Sequence, residues 1–294
     1  ATIIGSAAFN ISVIPVLASW FYFKTTKSTS LKINTVIISQ DSFFNLISIL
    51  FLGITFFIGT ISMFSSLILM LIYLIYIYFV FKFRTENESE ITETLFEGEY
   101  DSVDGDNTLS INLFSFFDNK IDSKNSIAIL VLSLLLISFS CHILTVSCEQ
   151  ISSLVGINLF YISFFIAAIA SSIPDTFLSI YDAKNSKIDD AFSNAFGSNI
   201  FDICIGLGLP LFIYVLMNGS ISLEATVDST NISNYSTLLS SVQTPYLLLF
   251  ESIVLLFFLS LVTSLIYCIG RFNKFKSILV LISYGMFLYL LLLI

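Results

Sequence analysis

Eight long apolar stretches constrain this chain more than any other feature, because about 20 consecutive apolar residues make a helix that crosses the hydrocarbon core of a bilayer. They lie at 3–23, 43–60, 61–81, 126–147, 157–181, 190–217, 245–269 and 275–294. The 294-residue sequence is 56% hydrophobic and 11% charged, which is more apolar surface than a soluble domain of this size can bury. The sequence therefore predicts an all-α polytopic membrane protein with eight transmembrane helices.

The second and third stretches adjoin, so one very long helix is the alternative to two spans. Gly53, Gly59 and Ser62 favour a tight turn between them, and the length of 43–81 fits two crossings. With eight helices, all 12 Lys and Arg lie in loops on one side of the membrane. The positive-inside rule assigns that side to the cytoplasm.

The loop at 218–244 is then extracellular or lumenal, and it contains Glu224 and Asp228 but no basic residue. Three acceptor patterns for N-glycosylation occur in it: Asn218, Asn231 and Asn234. These patterns favour the plasma membrane or an endomembrane, and the mitochondrial inner membrane stays an alternative.

Composition divides the chain into three regions. Residues 1–84 hold three predicted helices, 85–125 form an acidic cytoplasmic loop, and 126–294 hold the other five helices. Acidic residues without a base between 86 and 106 are typical of a solvated, disordered linker. A regulatory cation-binding loop is the alternative, but these acids lack the alternating spacing of an EF-hand.

A six-residue phrase occurs twice, as GSAAFN at 5–10 (the first copy) and as GSNIFD at 197–202 (the second copy). An internal repeat in a membrane protein indicates two related halves with a polar site between them. The second half has two predicted helices ahead of its copy, and the first half has none. The repeat therefore predicts two further helices ahead of Ala1.

Asp175 and Asp202 are acids within predicted spans, where a buried charge is costly and usually functional. Each belongs to a stripe of polar residues at helical spacing. Pro174 cannot donate a hydrogen bond, so the carbonyl of Ala170 is left free at membrane depth. Carboxylate, hydroxyl, amide and carbonyl oxygens suit hard cations such as Ca²⁺, Na⁺ or K⁺. The candidate ligands are Asp175, Asp202, Ser171, Ser172, Ser198, Asn10, Ser6 and Ala170.

Helix packing is the alternative interpretation of these stripes, because Ser and Thr in membrane helices often bond to their own backbone or to a neighbouring helix. The two carboxylates favour a cation site over packing, since these helices contain no basic partner for them. Glu251 is equally consistent with a second ion contact and with an acid at the membrane interface.

The sequence SSIPD at 171–175, followed by the second copy, resembles the second alpha repeat of the cation/calcium exchanger superfamily. Residues 1–10 resemble the end of its first alpha repeat. The potassium-dependent sodium/calcium exchangers are the most similar branch, because their second motif also ends in Asp. The resemblance implies an inverted-repeat cation exchanger fold, with eight transmembrane helices present of an expected ten.

The same resemblance implies roles for individual residues. Asp175 would be the acidic ligand shared by Ca²⁺ and Na⁺, and Asp202 the carboxylate linked to K⁺. The other implied ligands are the hydroxyls of Ser171, Ser172 and Ser198, with Asn10 and Ser6 from the first half. Ala170 and Ser171 replace the Gly-Thr that is usual in this motif; Ser keeps the oxygen, and Ala tightens the helix near the ions.

The resemblance thus predicts a secondary active antiporter, not an enzyme, that exchanges Na⁺ for Ca²⁺ with K⁺ co-transport by alternating access. No resident cofactor is expected, because the ions are cargo. The expected partners are the lipid bilayer and membrane proteins that pack against helices 43–81 and 245–294, but no nucleic acid. Two alternatives stay open: a transport-incompetent structural subunit of a larger membrane complex, and a cation/proton or magnesium exchanger on the same fold.

Overall fold

A computed structural model describes residues 1–95, 123–223 and 245–294. Within these ranges, 8 helices are long and apolar enough to cross a membrane, which confirms the predicted fold class. They are α1 (Thr2–Thr26), α2 (Thr35–Ile58), α3 (Met63–Leu95), α4 (Ser123–Val155), α5 (Leu159–Lys184), α6 (Ile188–Asn218), α7 (Pro245–Cys268) and α8 (Lys274–Leu293).

Two short antiparallel ribbons connect loops at opposite ends of the bundle. At one end, β1 (Ser30–Leu31) follows α1 and pairs with β4 (Phe272–Asn273), which follows α7. At the other end, β2 (Thr60–Ile61) follows α2 and pairs with β3 (Ile221–Ser222), which follows α6. Helices α1 and α6 therefore end on opposite sides, and the two copies of the phrase run in opposite directions, as inverted repeats require.

The described chain forms two compact units. The larger unit comprises Ala1–Tyr78 and Ile157–Ile294, and α1 lies at its centre, in contact with α5, α6, α7 and α8. Fully buried alanines let these helices approach α1 closely: Ala7, Ala8 and Ala18. Burial on all sides explains why α1 has no single apolar face.

Pro15 lies inside α1 and leaves the carbonyl of Ile11 without its usual donor four residues later. The buried hydroxyl of Tyr267, on α7, donates to that carbonyl over 2.7 Å. The proline is thus accommodated by a neighbouring helix, as is required inside a membrane protein.

The smaller unit is Phe79–Gly156, which contains the end of α3 and all of α4. Every residue from 130 to 143 is exposed, and most of them are Leu, Ile, Val or Phe. A surface of this composition suits contact with lipid chains.

Three helix boundaries differ clearly from the sequence prediction, and one of them is the end of α4, at Val155 rather than at 147. Helix α2 begins at Thr35 rather than at 43, and the side chain of Asn34 caps it by accepting a hydrogen bond from the Val36 N–H. Asp41 lies in the added part of the helix, where its carboxylate is buried and accepts hydrogen bonds from neighbouring helices. Helix α3 also continues beyond the predicted end at 81, to Leu95.

The predicted turn between α2 and α3 is confirmed. Helix α2 ends at Gly59, whose φ of 72° lies in the left-handed region that favours glycine. Other predictions fall outside the described residues: the acidic loop from 96 to 122, and the part of the outer loop from 224 to 244 with Asn231 and Asn234.

Both helices of the second half that carry predicted ligands contain a π-helical segment. One is Ser163–Ala167 within α5, and the other is Asp202–Leu207 within α6. A π segment inserts one extra residue into a helix and often occurs at functional sites. The sequence pattern did not predict either segment.

Candidate cation site

Helices α1 and α5 cross in close contact at the first copy of the phrase. A Cβ atom added to Gly5 would lie 2.5 Å from the Phe164 carbonyl oxygen and 2.7 Å from the Ala168 Cβ, so only glycine fits there. One residue further on, the buried hydroxyls of Ser6 and Ser172 are 2.9 Å apart. The close crossing thus brings two predicted ligands from opposite halves of the chain into contact.

A second contact joins the two copies directly. The side-chain amide of Asn199 donates to the Ala7 carbonyl over 3.0 Å, and both groups are buried. These residues are the third positions of the two copies, so equivalent points of the repeat meet across the α1–α6 interface. Asn199 was not predicted as a site residue, although its position in the phrase and its polarity were available as signals.

Asp175, Ser198 and Asp202 form the charged part of the site, and all three are half-buried. The Ser198 hydroxyl lies close enough to the Asp175 carboxyl to interact with it. Asp202 lies close enough to Asp175 for their charges to interact. The structure therefore brings together both predicted acids and a predicted hydroxyl ligand from α5 and α6.

Asn10 is fully buried, and neither its amide nitrogen nor its amide oxygen has a hydrogen-bond partner among the described residues. A buried amide left in this way costs about 1–3 kcal/mol per group. Such a side chain is suited to a ligand that is not protein. The carbonyl of Ala170 is comparable, since Pro174 follows four residues later in α5 and cannot donate to it.

Ser171 lies differently from the other predicted ligands. It is exposed, and its hydroxyl donates to the Ala168 carbonyl of its own helix over 2.9 Å. This bond uses only the hydroxyl proton, so the lone pairs of the Ser171 oxygen stay available to a cation.

Hydrogen bonds between α5 and α6 fix the spacing of the two acids. The Ser179 hydroxyl donates to the Ala191 carbonyl over 3.0 Å. The Asn194 amide donates to the Ser179 hydroxyl at 3.0 Å and to the Asp175 carbonyl at 3.3 Å. Ser179 and Asn194 belong to the polar stripes of the sequence, but here they join two helices and are not oriented as ligands.

The chemistry of the site is that of oxygen ligands around two carboxylates. Among the residues that the structure describes, no group of three or more His, Cys, Asp or Glu side chains could hold a metal ion. The other oxygens that the structure places at the α1–α5 and α5–α6 contacts belong to hydroxyl and amide groups. Such a shell fits a hard cation that is bound and released.

Asp41 is a further buried acid, on α2, that sequence reasoning missed. It is 1% exposed and accepts hydrogen bonds from the Ser193 hydroxyl at 2.5 Å and from the Tyr76 hydroxyl at 3.1 Å. Ser193 lies on α6, nine positions ahead of Asp202. Asp41 therefore anchors the helix that carries the second copy.

A bundle of membrane helices with inverted repeats and a half-buried, oxygen-lined acidic site is the architecture of a membrane transporter. The family model of the sodium/calcium exchanger protein matches residues 125–293, which is more than half of the chain. The chain belongs to this family, which comprises transporters and not enzymes. The resemblance stated from the sequence motifs is thereby confirmed.

Two similar curated proteins are sodium/potassium/calcium exchangers. The chain is 32% identical over 154 residues to the sodium/potassium/calcium exchanger 2 of Gallus gallus, and the aligned segment covers 52% of this chain and 21% of that protein. It is 32% identical over 158 residues to the sodium/potassium/calcium exchanger 1 of Bos taurus, and the aligned segment covers 53% of this chain and 11% of that protein. The matches thus span only a fraction of each relative's length.

The fold is also similar to a solved structure, that of the H⁺/Ca²⁺ exchanger CAX. The TM-score is 0.63 at 17% identity, and the superposition covers 99% of this chain and 69% of that chain. Almost the entire described bundle, including α1 with the first copy, therefore has the exchanger fold.

Proposed function

We propose that this protein is a secondary active antiporter that exchanges Na⁺ for Ca²⁺, with co-transport of K⁺, by alternating access. The observation that carries the proposal is the meeting of Asp175, Ser198 and Asp202 well inside two spanning helices. Acids at such depth are costly and mark ion pathways in transporters. The names of the sodium/potassium/calcium exchangers similar to this chain support the choice of ions.

Charge balance supplies the coupling between the ions. Asp175 and Asp202 carry two negative charges when ionised, which one Ca²⁺ or two Na⁺ neutralise. A loaded site can change its exposure from one side to the other, whereas an empty site would carry two uncompensated charges through the membrane. Exchange is therefore favoured over uncoupled leak of either ion.

Neutral oxygens complete the proposed ion shell. The Ser198 hydroxyl lies beside Asp175, and the Ser6 and Ser172 hydroxyls form the buried wall on the α1 side. Asn10 contributes an amide without a protein partner, and Ala170 contributes the carbonyl that Pro174 leaves free. Ser171 contributes the lone pairs of its hydroxyl oxygen, because the bond to the Ala168 carbonyl uses only the proton.

Asp202 is assigned to K⁺ because the two copies differ at their last position. The first copy ends in the neutral Asn10, and the second ends in the acid. Ca²⁺ and K⁺ held together carry three positive charges, one more than Asp175 and Asp202 neutralise, so the proposal requires one further acid in the loaded site. The names of the sodium/potassium/calcium exchangers similar to this chain support the assignment.

The membrane is proposed to be the plasma membrane or an endomembrane, with the ribbon of β1 and β4 on the cytoplasmic side. The basic loops at that end and the acceptor pattern at Asn218, at the opposite end, support this orientation. Treatment with endoglycosidase should reduce the apparent mass of the wild-type protein, with Asn218→Gln, Asn231→Gln and Asn234→Gln as site controls. A mass unaffected by the enzyme would leave this orientation unsupported.

Flux measurement tests the antiport. The protein in Na⁺-loaded proteoliposomes should take up ⁴⁵Ca²⁺, and Asp175→Asn should reduce uptake to that of protein-free liposomes because the shared charge is lost. Thr55→Val is a matched control, since the Thr55 hydroxyl is buried but donates only to the Phe51 carbonyl of its own helix. Uptake that persisted unchanged in Asp175→Asn would contradict the proposal.

A further inference from the structure

A layer of buried polar side chains lies between α2 and α7, two helices that carry neither Asp175 nor Asp202. It consists of Ser42 and Asn45 on α2 and of Ser260 and Ser264 on α7; we call it the α2–α7 layer. The Asn45 amide donates to the Ser260 hydroxyl over 2.7 Å, with both residues fully buried.

The register of the two helices places the other two serines together. The helices run in opposite directions: Gly53 lies against Ile253, and Asn45 lies against Ser260. Ser42 is three residues before Asn45, and Ser264 is four residues after Ser260. In antiparallel helices both steps advance about one turn towards the same end. Ser42 and Ser264 therefore occupy the same level, next to the Asn45–Ser260 pair.

Three oxygens of this layer have no hydrogen-bond partner in the described part of the chain: the Ser42 hydroxyl, the Asn45 amide oxygen and the Ser264 hydroxyl. Their side chains are 4%, 0% and 6% exposed. A buried oxygen without a partner destabilises a protein, and three on adjacent turns are unusual. Their common location indicates a ligand that is not protein.

Comparison with other buried hydroxyls on the same two helices strengthens this conclusion. Ser48, Thr55 and Thr263 each donate to the carbonyl four residues earlier in their own helix, which satisfies the hydroxyl locally. Ser42 and Ser264 make no such bond. Their hydroxyls are thus available to the layer itself.

We propose that the α2–α7 layer binds a monovalent alkali cation, with Ser42, Asn45 and Ser264 as ligands. Neutral hydroxyl and amide oxygens are hard ligands, which suit Na⁺ or K⁺, and the set contains no carboxylate to favour a divalent ion. Asp41, the acid of α2, adjoins Ser42 and favours a cation over a neutral solute at this level.

The bound cation has a structural and regulatory role distinct from transport. One turn further along α2, the Ser48 hydroxyl contacts the Cys204 thiol at 3.2 Å, within the π segment that begins at Asp202. A cation that holds α2 and α7 together therefore also supports the backbone next to the proposed transport site. The inference does not rest on the proposed antiport.

Thermal unfolding of the purified full chain tests the site, in a variant that carries Asp175→Asn and Asp202→Asn so that the central carboxylates bind no cation. KCl or NaCl should raise Tm relative to choline chloride at equal ionic strength. Adding Ser42→Ala with Ser264→Ala should abolish this rise and leave Tm in choline chloride unchanged or higher, because unpartnered hydroxyls are removed. Thr55→Val, with a locally satisfied hydroxyl, should retain the rise.

Three results would overturn the proposal. They are the absence of an alkali-specific rise in the parent protein, persistence of the rise in the double serine variant, and an equal fall in Tm in all three salts, which would indicate bound water only. If the central double variant does not fold, the same comparison is made on Asp202→Asn alone at saturating Ca²⁺, which removes the proposed K⁺ ligand and occupies Asp175, with the same criteria. Loss of ⁴⁵Ca²⁺ flux in Asp175→Asn tests the antiport separately.

Discussion

The two copies of the repeated phrase have the same length and related sequences but different environments. In the first copy, Ser6 and Asn10 are 3% and 0% exposed, and regular α-helix continues through both. In the second copy, Ser198 and Asp202 are half-buried, and the backbone changes to a π segment at Asp202. The first copy therefore supplies a packed, neutral wall, and the second supplies the accessible charge.

Position in the bundle explains this difference. Helix α1 is surrounded by four other helices, so a charge there would be fully desolvated. Helix α6 has an exposed side, with Phe201 and Gly206 next to Asp202 both exposed. A repeat can thus be symmetric in sequence while its two halves take different parts in one site.

The largest expected effect is a difference in the yield of folded protein between substitutions of the glycines that begin the two copies. Gly5→Ala should prevent recovery of folded protein, because the new Cβ would overlap the Phe164 carbonyl oxygen of the backbone. Gly197→Ala should be tolerated, since its nearest neighbour is the Tyr76 hydroxyl at 3.4 Å. Size-exclusion chromatography of detergent-solubilised protein measures both. Equal yields would show that the α1–α5 crossing is not tight.

The next effect concerns the last positions of the copies. Asp202→Asn makes the second copy end as the first does, and it should abolish the stimulation of Na⁺-dependent ⁴⁵Ca²⁺ flux by K⁺ while flux itself continues. Asn10→Ala, which removes a neutral ligand, should lower flux but keep its dependence on K⁺. If K⁺ still stimulates flux in Asp202→Asn, the assignment of K⁺ to the acid of the second copy is wrong.

A smaller effect is expected at the contact between the copies. Asn199→Ala removes the donor to the Ala7 carbonyl and should reduce the free energy of unfolding by about 1–3 kcal/mol, because a buried acceptor is left unpaired. Thr25→Ala is the control, since that hydroxyl is exposed and bonds only to the Phe21 carbonyl of its own helix. Thermal or chemical denaturation of the two variants measures the loss of stability in each. An equal loss in both would contradict a stabilising contact between the copies.

The smallest effect is expected at Ser171. Its hydroxyl is exposed and bonds within its own helix, so Ser171→Ala should change stability by no more than about 0.5 kcal/mol. Ser172→Ala, which loses the buried contact with Ser6, should be measurably more destabilising. The ⁴⁵Ca²⁺ concentration for half-maximal flux should rise in Ser171→Ala if the hydroxyl turns towards the ion. An unchanged value would remove Ser171 from the proposed ligands.

The number of spans could be predicted from the sequence because apolar length alone determines it. The start of α2 could not, since Asp41 is acceptable inside a helix only when Ser193 and Tyr76, distant in sequence, donate to it. The π segments were equally invisible, because they arise from packing and not from residue type. The polarity of Asn199 and its place in the phrase were visible in the sequence, but its partner was not, because that partner is a backbone carbonyl.

The ribbons at the two ends of the bundle have a consequence for how the protein is made. Ser30 pairs with Asn273, and Thr60 pairs with Ser222, so each ribbon joins parts of the chain that are synthesised far apart in time. Helix α2 must therefore enter the membrane before the helices that enclose Asp41 and Asn45 exist. Until α6 and α7 follow, those polar side chains face lipid or the translocation machinery. A chain whose synthesis stops at that stage would keep these polar groups unpaired in the membrane and would be degraded.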